Sequence, residues 1–238
     1  MFKSLKNLLI KYFLFRDSDK RRMEWVEKIL LKLNANSKIL DAGCGPQQYK
    51  QYCKHLNYYS QDFAKYNGKG DGKGLQKNNW KYGELDYIGD IWKIDEKDNF
   101  FDVILCTEVL EHIMYPNETI KEFSRLLKKN GVLILTAPVN STPHFSPYYF
   151  YNGFSEYFYQ NTANTNNFKI ISIESNGNIY ESIASEIILS TKYLAQPYKL
   201  IYKALSIIFI LILQLFSKLS KKSNTELLSG YHVVMVKL

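Results

Sequence analysis

Short apolar runs alternate with amphipathic stretches along the chain. Runs bounded by glycine, asparagine or charged residues are typical of β-strands. Seven segments are assigned to strands on this basis: SKILDAG, NYYSQDF, ELDYIGDI, FFDVILCT, GVLILTAP, FKIISIES and YHVVMVKL. Residues Asp19 to Leu33 and the segment PNETIKEFSRLLKKNG instead repeat apolar residues at helical spacing. In the second of these we expect Asn117 to cap the helix and Gly131 to end it.

Strands separated by helical segments predict βαβ units, and therefore a parallel sheet with right-handed crossovers. The expected fold class is α/β, with a Rossmann-like sheet covered by helices on both faces. Ligands of such sheets bind beyond the carboxyl ends of the strands, so candidate functional residues should follow strands. Residues 64–83 are rich in glycine, lysine and asparagine, which predicts a loop.

The composition fits a folded protein with one domain. A length of 238 residues and an apolar fraction of 46% suit a single domain over residues 1–238. Within it we expect a helical N-terminal extension, 1–35, and a helical insertion, 177–230, before the last strand. The three cysteines form no CxxC pair, and no cleavage site follows the N-terminal apolar residues. These features favour a reduced, cytoplasmic setting.

The formal net charge of +8 would suit an anionic partner. The basic residues are scattered, however, and the sequence has neither an arginine-rich arm nor a helix-turn-helix pattern. A nucleic-acid partner is therefore not expected. The expected partner is a small-molecule substrate.

A glycine-containing turn, ILDAGCGPQQ, follows the first predicted strand. A dinucleotide turn would place a third glycine where Gln48 stands, and a P-loop would continue with GK[ST]. The remaining features are two positions without side chains, Gly43 and Gly45, and the carboxylate of Asp41. A carboxylate repels phosphate but suits a cationic ligand, and S-adenosylmethionine is cationic and carries no phosphate.

At this point the chain resembles the class I S-adenosylmethionine-dependent methyltransferases, over about residues 37–136 and the last strand. The resemblance rests on five motifs in the family's order: LDAGCG, the acid that closes NYYSQDF, GDI, FDVILCTEVLEHI and LLKKNGVLILTAP. It implies a seven-stranded, mostly parallel sheet with an antiparallel last strand. It also implies that Asp62 binds the ribose hydroxyls and that Asp90 lies at the adenine. The implied cofactor-binding residues are Asp41, Gly43, Cys44, Gly45, Asp62, Asp90, Ile91 and Thr107.

The segment EVLEH follows the fourth strand and spaces Glu108, Glu111 and His112 at i, i+3 and i+4. On a helical turn these three side chains share one face and could form part of a divalent-metal site. The segment resembles one in ubiquinone-pathway O-methyltransferases and small-RNA 2′-O-methyltransferases, where it helps to bind a metal. A similar segment in metal-free members of the family places the histidine in the substrate pocket. The metal-free version is preferred, because no second half of a metal site is visible in the sequence.

An aromatic segment, APVNSTPHFSPYYFYNGFSEYFYQ, follows the fifth strand. Its prolines predict a loop, and its tyrosine and phenylalanine rings could form the roof of a pocket or simply fill space against the sheet. Methyl transfer to a hydroxyl needs an aligned acceptor and a base for its proton. The candidate catalytic residues are His112, His144 and Tyr148.

The insertion contains an uncharged segment, ALSIIFILILQLFS, flanked by Lys203 and Lys218. Its fourteen residues fall short of the roughly 20 that a membrane-spanning helix needs. A buried core helix, a partner-binding helix and an interfacial helix all fit the pattern. Together with the basic amphipathic residues 1–15, residues 200–219 are compatible with peripheral contact at the inner face of the membrane.

The preferred hypothesis is an S-adenosylmethionine-dependent methyltransferase that acts on a small molecule at oxygen. A sugar or a lipid-linked glycan precursor is the favoured acceptor. The alternatives left open are an RNA 2′-O-methyltransferase or a quinone-precursor O-methyltransferase with metal at EVLEH, and an inactive cofactor-binding scaffold.

Overall fold

The structure is a computed structural model, and it describes residues 18–219 and 228–238. Its helices are α1 (Ser18–Leu30), α2 (Pro116–Leu126), α3 (Glu156–Thr165), α4 (Ile179–Ser190) and α5 (Tyr198–Leu219). Its strands are β1 (Lys38–Ala42), β2 (Asn57–Asp62), β3 (Tyr87–Ile88), β4 (Phe101–Thr107), β5 (Leu127–Pro138), β6 (Phe168–Asn176) and β7 (Gly230–Lys237). The predicted membrane contact of residues 1–15 lies outside the described residues.

The seven strands form one sheet in the order β3-β2-β1-β4-β5-β7-β6. Strands β1 to β5 pair in parallel with their neighbours, and β7 pairs antiparallel with β5, with Ile134 opposite Val234. This arrangement confirms the predicted Rossmann-like sheet and its antiparallel last strand. The carboxyl ends of β1, β2, β3 and β4 therefore meet at one edge.

The core lies between the sheet and the helices. On one face, Val26 and Leu30 of α1 pack with Ile39 of β1 and Leu105 of β4, and all four are fully buried. Helix α2 contributes Ile120, Phe123 and Leu126, which are also fully buried. The helical periodicity of both segments thus serves to cover the sheet with apolar side chains.

Helix α2 differs from its prediction at both ends. Tyr115 is its N-cap residue and Pro116 occupies the first helical turn, so Asn117 is not the cap. Proline favours that position because its fixed φ matches the helix and its missing N–H has no partner there anyway. The helix ends at Leu126, and strand β5 begins with Leu127. Lys128 lies in that strand, and its ammonium donates to Asp102, 2.7 Å away.

One other local expectation needs correction. Strand β3 has two residues, Tyr87–Ile88, where a longer strand was expected. The loop predicted over residues 64–83 is confirmed as irregular structure.

The chain divides into two compact units. One comprises Arg22–Glu174 with Gly230–Leu238 and contains most of the sheet. The other, in its described part, comprises residues 18–21, 175–219 and 228–229, and it contains α4 and α5.

Helix α5 is longer than the sequence pattern predicted. It has 22 residues and is therefore about 33 Å long. Among the described residues it is the one helix whose length and composition would allow it to cross a membrane, with a mean hydropathy of 2.1 over its most apolar window. The expectation that this segment is too short was wrong, because Tyr198 to Lys203 extend the helix before the uncharged run begins. Only 17% of that window is buried, so α5 is not a core helix.

Candidate functional site

The turn after β1 is held in place by the end of β2. The backbone carbonyl of Gln61 accepts hydrogen bonds from the N–H groups of Gly43 and Cys44, at 2.9 and 3.0 Å. The side-chain oxygen of Gln61 also accepts from Gly43, at 3.1 Å, and its amide donates to the carbonyl of Gly89, at 2.7 Å. Gln61 therefore links the turn after β1 to the segment after β3. No sequence pattern singles out Gln61, because a polar residue in a strand looks like one that faces solvent.

Asp62 fastens the same turn from its other side. Its Oδ2 accepts from the N–H of Gly45 at 2.9 Å, and its Oδ1 accepts from the N–H of Ala64 at 3.0 Å. Burial raises the pKa of Asp62, and these N–H donors oppose that effect. The structure thus gives Asp62 a positioning role, while its contact with ribose hydroxyls stays a prediction.

Asp41 lies beneath the turn and is almost completely buried. The hydroxyl of Tyr58 donates to its Oδ2 at 2.7 Å. Burial raises the pKa of Asp41 to about 7, the Tyr58 hydrogen bond lowers it, and the charge of Asp62 raises it further. Two buried carboxyl groups at neighbouring strand ends make this edge favourable for a positively charged ligand and unfavourable for a phosphate.

The other predicted cofactor residues also lie at the carboxyl edge. Asp90 is exposed just after β3, and Ile91 beside it is buried. Thr107 is half-buried at the end of β4. The Cys44 thiol is buried within the turn, and burial raises its pKa. The sheet therefore brings the ends of four strands together, as a cofactor lying across them requires.

The two glycines are required by their neighbours and by the backbone. Both have positive φ, +71° at Gly43 and +49° at Gly45, which residues with a Cβ rarely adopt. A Cβ at Gly43 would lie 2.5 Å from Cγ1 of Val109, and one at Gly45 would lie 2.7 Å from Cζ2 of Trp80. The sequence predicts that these positions let a ligand lie against the backbone, and in this structure side chains of the protein also approach them. Trp80 comes from the loop over residues 64–83, and no sequence pattern singles it out.

The segment EVLEH does not form the α-helical turn that its spacing suggested. Glu108 has a φ of +54°, and the one-turn 3₁₀ helix begins only at Leu110. The carboxylate of Glu108 accepts from the Thr136 hydroxyl at 3.0 Å and lies 3.2 Å from the guanidinium of Arg22. The predicted metal-binding set was Glu108, Glu111 and His112, whereas the group that the structure brings together among the described residues contains His144 in place of Glu108.

Glu111 and His112 instead meet His144, from the aromatic segment after β5. The Nε2 atoms of the two histidines lie 3.0 Å apart, and Oε1 of Glu111 lies 3.7 Å from one and 3.8 Å from the other. Nδ1 of His112 faces the carbonyl of Tyr148, and Nδ1 of His144 lies 3.0 Å from the carbonyl of Thr142. A carbonyl can only accept, so each Nδ1 carries a proton, and the two Nε2 atoms face each other.

Burial dominates the electrostatics of this cluster. Glu111 is 1% exposed, and both of its carboxylate oxygens have no hydrogen-bond partner among residues 18–219 and 228–238. Burial and the charge of Glu108 raise the pKa of Glu111 well above its usual range. Burial and the neighbouring His144 lower the pKa of His112 to about 4. One ligand atom from each of the three residues fits within 4.8 Å, a spacing that would let the set hold a metal ion.

Tyr148 reaches the cluster through its backbone. Its carbonyl orients His112, whereas its ring packs edge-on against Phe63, with centroids 4.8 Å apart. The Tyr148 hydroxyl, expected as a catalytic candidate, is not one of the groups that meet there. The neighbouring Phe145 and Tyr149 do contact the histidines, with their ring centroids 5.2 Å from His112 and 5.3 Å from His144. The aromatic segment thus covers the cluster.

Comparison with known proteins gives a consistent assignment. A family model described as a methyltransferase domain matches residues 14–169. The fold, the glycine turn and this match show that the chain belongs to the class I S-adenosylmethionine-dependent methyltransferase family. An uncharacterized protein of Methanocaldococcus jannaschii is 34% identical over 110 residues, 45% of this chain and 44% of that protein. The ubiquinone biosynthesis O-methyltransferase of Pelagibacter ubique is 34% identical over 140 residues, 58% of this chain and 52% of that protein.

The chain therefore spans about half the length of these curated relatives. Among solved structures, the cyclopropane synthase MmaA2 from Mycobacterium tuberculosis superposes with a TM-score of 0.53 at 14% sequence identity. The match covers 96% of this chain and 88% of that one. At that identity the likeness concerns the fold alone.

The first prediction concerns Asp62. We expect Asp62→Ala to weaken S-adenosylmethionine binding at least tenfold, because hydrogen bonds to a charged group contribute about 1.5–3 kcal/mol each. Isothermal titration calorimetry measures the effect, and Asp95→Ala, at an exposed aspartate, is the matched control. Unchanged affinity in a folded Asp62→Ala protein would rule out its assignment to the cofactor site.

The second prediction concerns the pH dependence of stability. A carboxyl group with an unfolded pKa of about 3.9 and a folded pKa of about 7 favours folding below pH 4 and loses that contribution as the pH rises to 7. We expect Asp41→Asn, which keeps an acceptor for Tyr58, to remove this loss, worth up to roughly 4 kcal/mol. Urea unfolding of both proteins at pH 5 and pH 8 measures it. A difference between the two proteins that does not change with pH would contradict the burial argument.

Proposed function

We propose that the protein transfers the methyl group of S-adenosylmethionine to an oxygen atom of a small-molecule acceptor. The single observation that carries this proposal is the cluster of Glu111, His112 and His144, in which two imidazole Nε2 atoms and a buried carboxylate lie within 4.8 Å. A hydroxyl acceptor must lose a proton when the methyl group reaches it. Imidazole and carboxylate groups at the carboxyl edge of a methyltransferase sheet can take up that proton.

The chemistry assigned to the cluster is that of a general base. The acceptor oxygen attacks the methyl carbon, the carbon–sulfur bond breaks, and the sulfonium becomes a neutral thioether. The hydroxyl proton passes to an imidazole Nε2, since the carbonyls of Tyr148 and Thr142 hold the Nδ1 protons of both rings. The Glu111 carboxylate, 3.7–3.8 Å from both Nε2 atoms, stabilises the imidazolium that results.

The acceptor class is the finer part of the proposal. Aromatic rings beside His112 and His144 provide apolar walls that suit the face of a sugar ring or an aromatic ring. We favour a sugar or a lipid-linked glycan precursor. The name of the Pelagibacter relative supports O-methylation and keeps a quinone precursor as the alternative acceptor.

Binding of a divalent cation is a second candidate role for the cluster. Two histidine nitrogens and one carboxylate are a donor set that divalent transition metals accept. The specific observation in its favour is that both Nδ1 atoms face carbonyls, so that the Nε2 atoms are the ones that lie with the Glu111 carboxylate, within 4.8 Å of one another. A cation there would hold an acceptor hydroxyl and lower its pKa.

The third prediction tests the cluster by substitution. We expect Glu111→Gln, His112→Ala and His144→Ala each to lower kcat by roughly 10²–10⁴-fold, the range for a positioned acid–base group. Affinity for S-adenosylmethionine should stay within a few-fold, because none of these three residues belongs to the predicted cofactor contacts. The matched control is His55→Ala, which removes an imidazole outside the cluster. Activity is measured with a panel of sugar nucleotides, glycan lipids, quinol precursors and RNA. Full activity in all three cluster variants would refute the proposal.

The fourth prediction separates the base from the metal. If the cluster works as a base, exhaustive chelation should leave the rate unchanged, and this is the outcome we expect. If a cation completes the site, chelation should abolish activity, and a divalent ion should restore it. Binding of Mn²⁺ followed by electron paramagnetic resonance gives a readout independent of turnover, and Glu111→Gln should then weaken binding, because the only carboxylate ligand is lost.

A further inference from the structure

Helix α5 presents a broad apolar surface to its surroundings. Between 45% and 64% of the surface is exposed at Leu205, Ile208, Phe209, Ile212, Leu215 and Leu219. These residues, called here the outer face, cover the part of the helix surface that does not pack on α4. A single partner helix covers a stripe only about 100° wide, so it would leave much of the outer face uncovered.

The side of α5 that packs on α4 is the more polar one. Ile210 and Leu213 pack with Ala184 there, but hydroxyl groups lie among them. The hydroxyl of Tyr202 lies 2.8 Å from that of Ser190, and Ser217 accepts from the side-chain amide of Asn178 at 2.8 Å. The hydroxyl of Ser206 donates to the carbonyl of Tyr202 within the helix. These hydroxyl and amide groups thus form hydrogen bonds within the pair of helices α4 and α5, called here the hairpin. The apolar side chains of the outer face point away from it, as in helices that are solvated by lipid.

The charges at the two ends of the outer face fit a lipid headgroup layer. No charged residue occurs between Lys203 and Lys218, and Lys192 and Lys199 add to the first end. Lysine side chains at such positions extend along apolar surface and place their ammonium groups among anionic headgroups. Because both ends of α5 carry lysine, both ends belong at the headgroup level.

The connectivity excludes a simple crossing of the bilayer. The hairpin leaves the sheet after β6 and returns to it at β7, and these two strands are neighbours. If α5 crossed the bilayer once, the chain would have to cross it a second time close by in order to return to the sheet at β7. Helix α4 has only 12 residues, about 18 Å, and carries Glu181 and the exposed Glu186. The sequence of residues 220–227, SKKSNTEL, is polar and short.

We propose that α5 lies in the plane of one leaflet of an anionic membrane. The outer face is buried in the acyl region, the lysines at both ends contact the headgroups, and α4 faces the water. This inference is independent of the proposed methyl transfer.

The fifth prediction tests this membrane contact. The informative change is Ile208→Glu with Leu215→Glu, because both residues belong to the outer face. Leu213 is left unchanged, because it packs against α4. Wild-type protein should co-sediment with vesicles of phosphatidylcholine and phosphatidylglycerol at 3:1, and this variant should bind at least tenfold more weakly. Ile171→Glu, at an exposed isoleucine of β6, is the matched control and should bind like wild type.

Further arms distinguish the alternatives. Lys203→Gln with Lys218→Gln should weaken binding to these vesicles by about fivefold for each lysine, and should have little effect on pure phosphatidylcholine. S-adenosylmethionine affinity shows that each variant is folded. Equal sedimentation of wild type and the double-glutamate variant would overturn the proposal. So would a wild-type protein that ignores vesicles and forms oligomers that the same variant dissociates, since a second copy would then cover the outer face.

Labelling of a single introduced cysteine tests the in-plane orientation. Tyr193 is 73% exposed in the connection between α4 and α5, and the three native cysteines are buried. In vesicle-bound Tyr193→Cys, a membrane-impermeant maleimide added outside should react with this position. Protection that is lost only on adding detergent would show that the connection enters the bilayer, and would overturn the in-plane arrangement.

Discussion

The structure depends on how acidic side chains are held at the carboxyl edge of the parallel sheet. Burial of a carboxyl group is costly unless hydrogen bonds or a positive charge compensate it. Asp62 is compensated by the N–H groups of Gly45 and Ala64, and Asp41 by the Tyr58 hydroxyl. These bonds also fix the glycine turn, so the groups that lower the cost of burial are the ones that shape the cofactor edge. Glu111 has no such hydrogen bonds among the described residues, and burial raises its pKa well above the usual range.

Much of the fold and the cofactor edge could be predicted from sequence, because local patterns determine them. Buried strands, an amphipathic helix and glycines at positive φ each leave a signal within a few residues. The second cluster could not be predicted in the same way. The helical spacing of Glu108 and His112 suggested one shared face, but Glu108 has a positive φ and does not continue a helical turn. The second histidine of the cluster, His144, lies 32 residues after His112 in the sequence. Gln61 and Trp80 were missed because their roles depend on tertiary neighbours.

Helix α5 shows how a pattern can be correctly identified and its extent misjudged. The uncharged run predicted a helix of about fourteen residues, whereas the structure extends it to 22 across Tyr198, Lys199 and Lys203. Polar residues at a helix end do not stop the backbone from continuing its hydrogen bonds. Composition therefore shows which part of a helix is apolar, but it does not show how long the helix is. The same polar end residues change the functional interpretation, because lysines at both ends favour a helix that lies along a membrane.

The cluster of Glu111, His112 and His144 and the helix α5 bear on different parts of one question, which is the nature of the acceptor. Under the proposed function, the cluster concerns the atom that receives the methyl group. Under the proposed membrane contact, α5 concerns where the protein meets its substrate. An acceptor anchored in the same leaflet would be confined with the protein to a thin layer, which raises its effective concentration without any new contact. An acceptor that carries a lipid chain would therefore make use of both features, whereas one dissolved in water would gain nothing from the membrane.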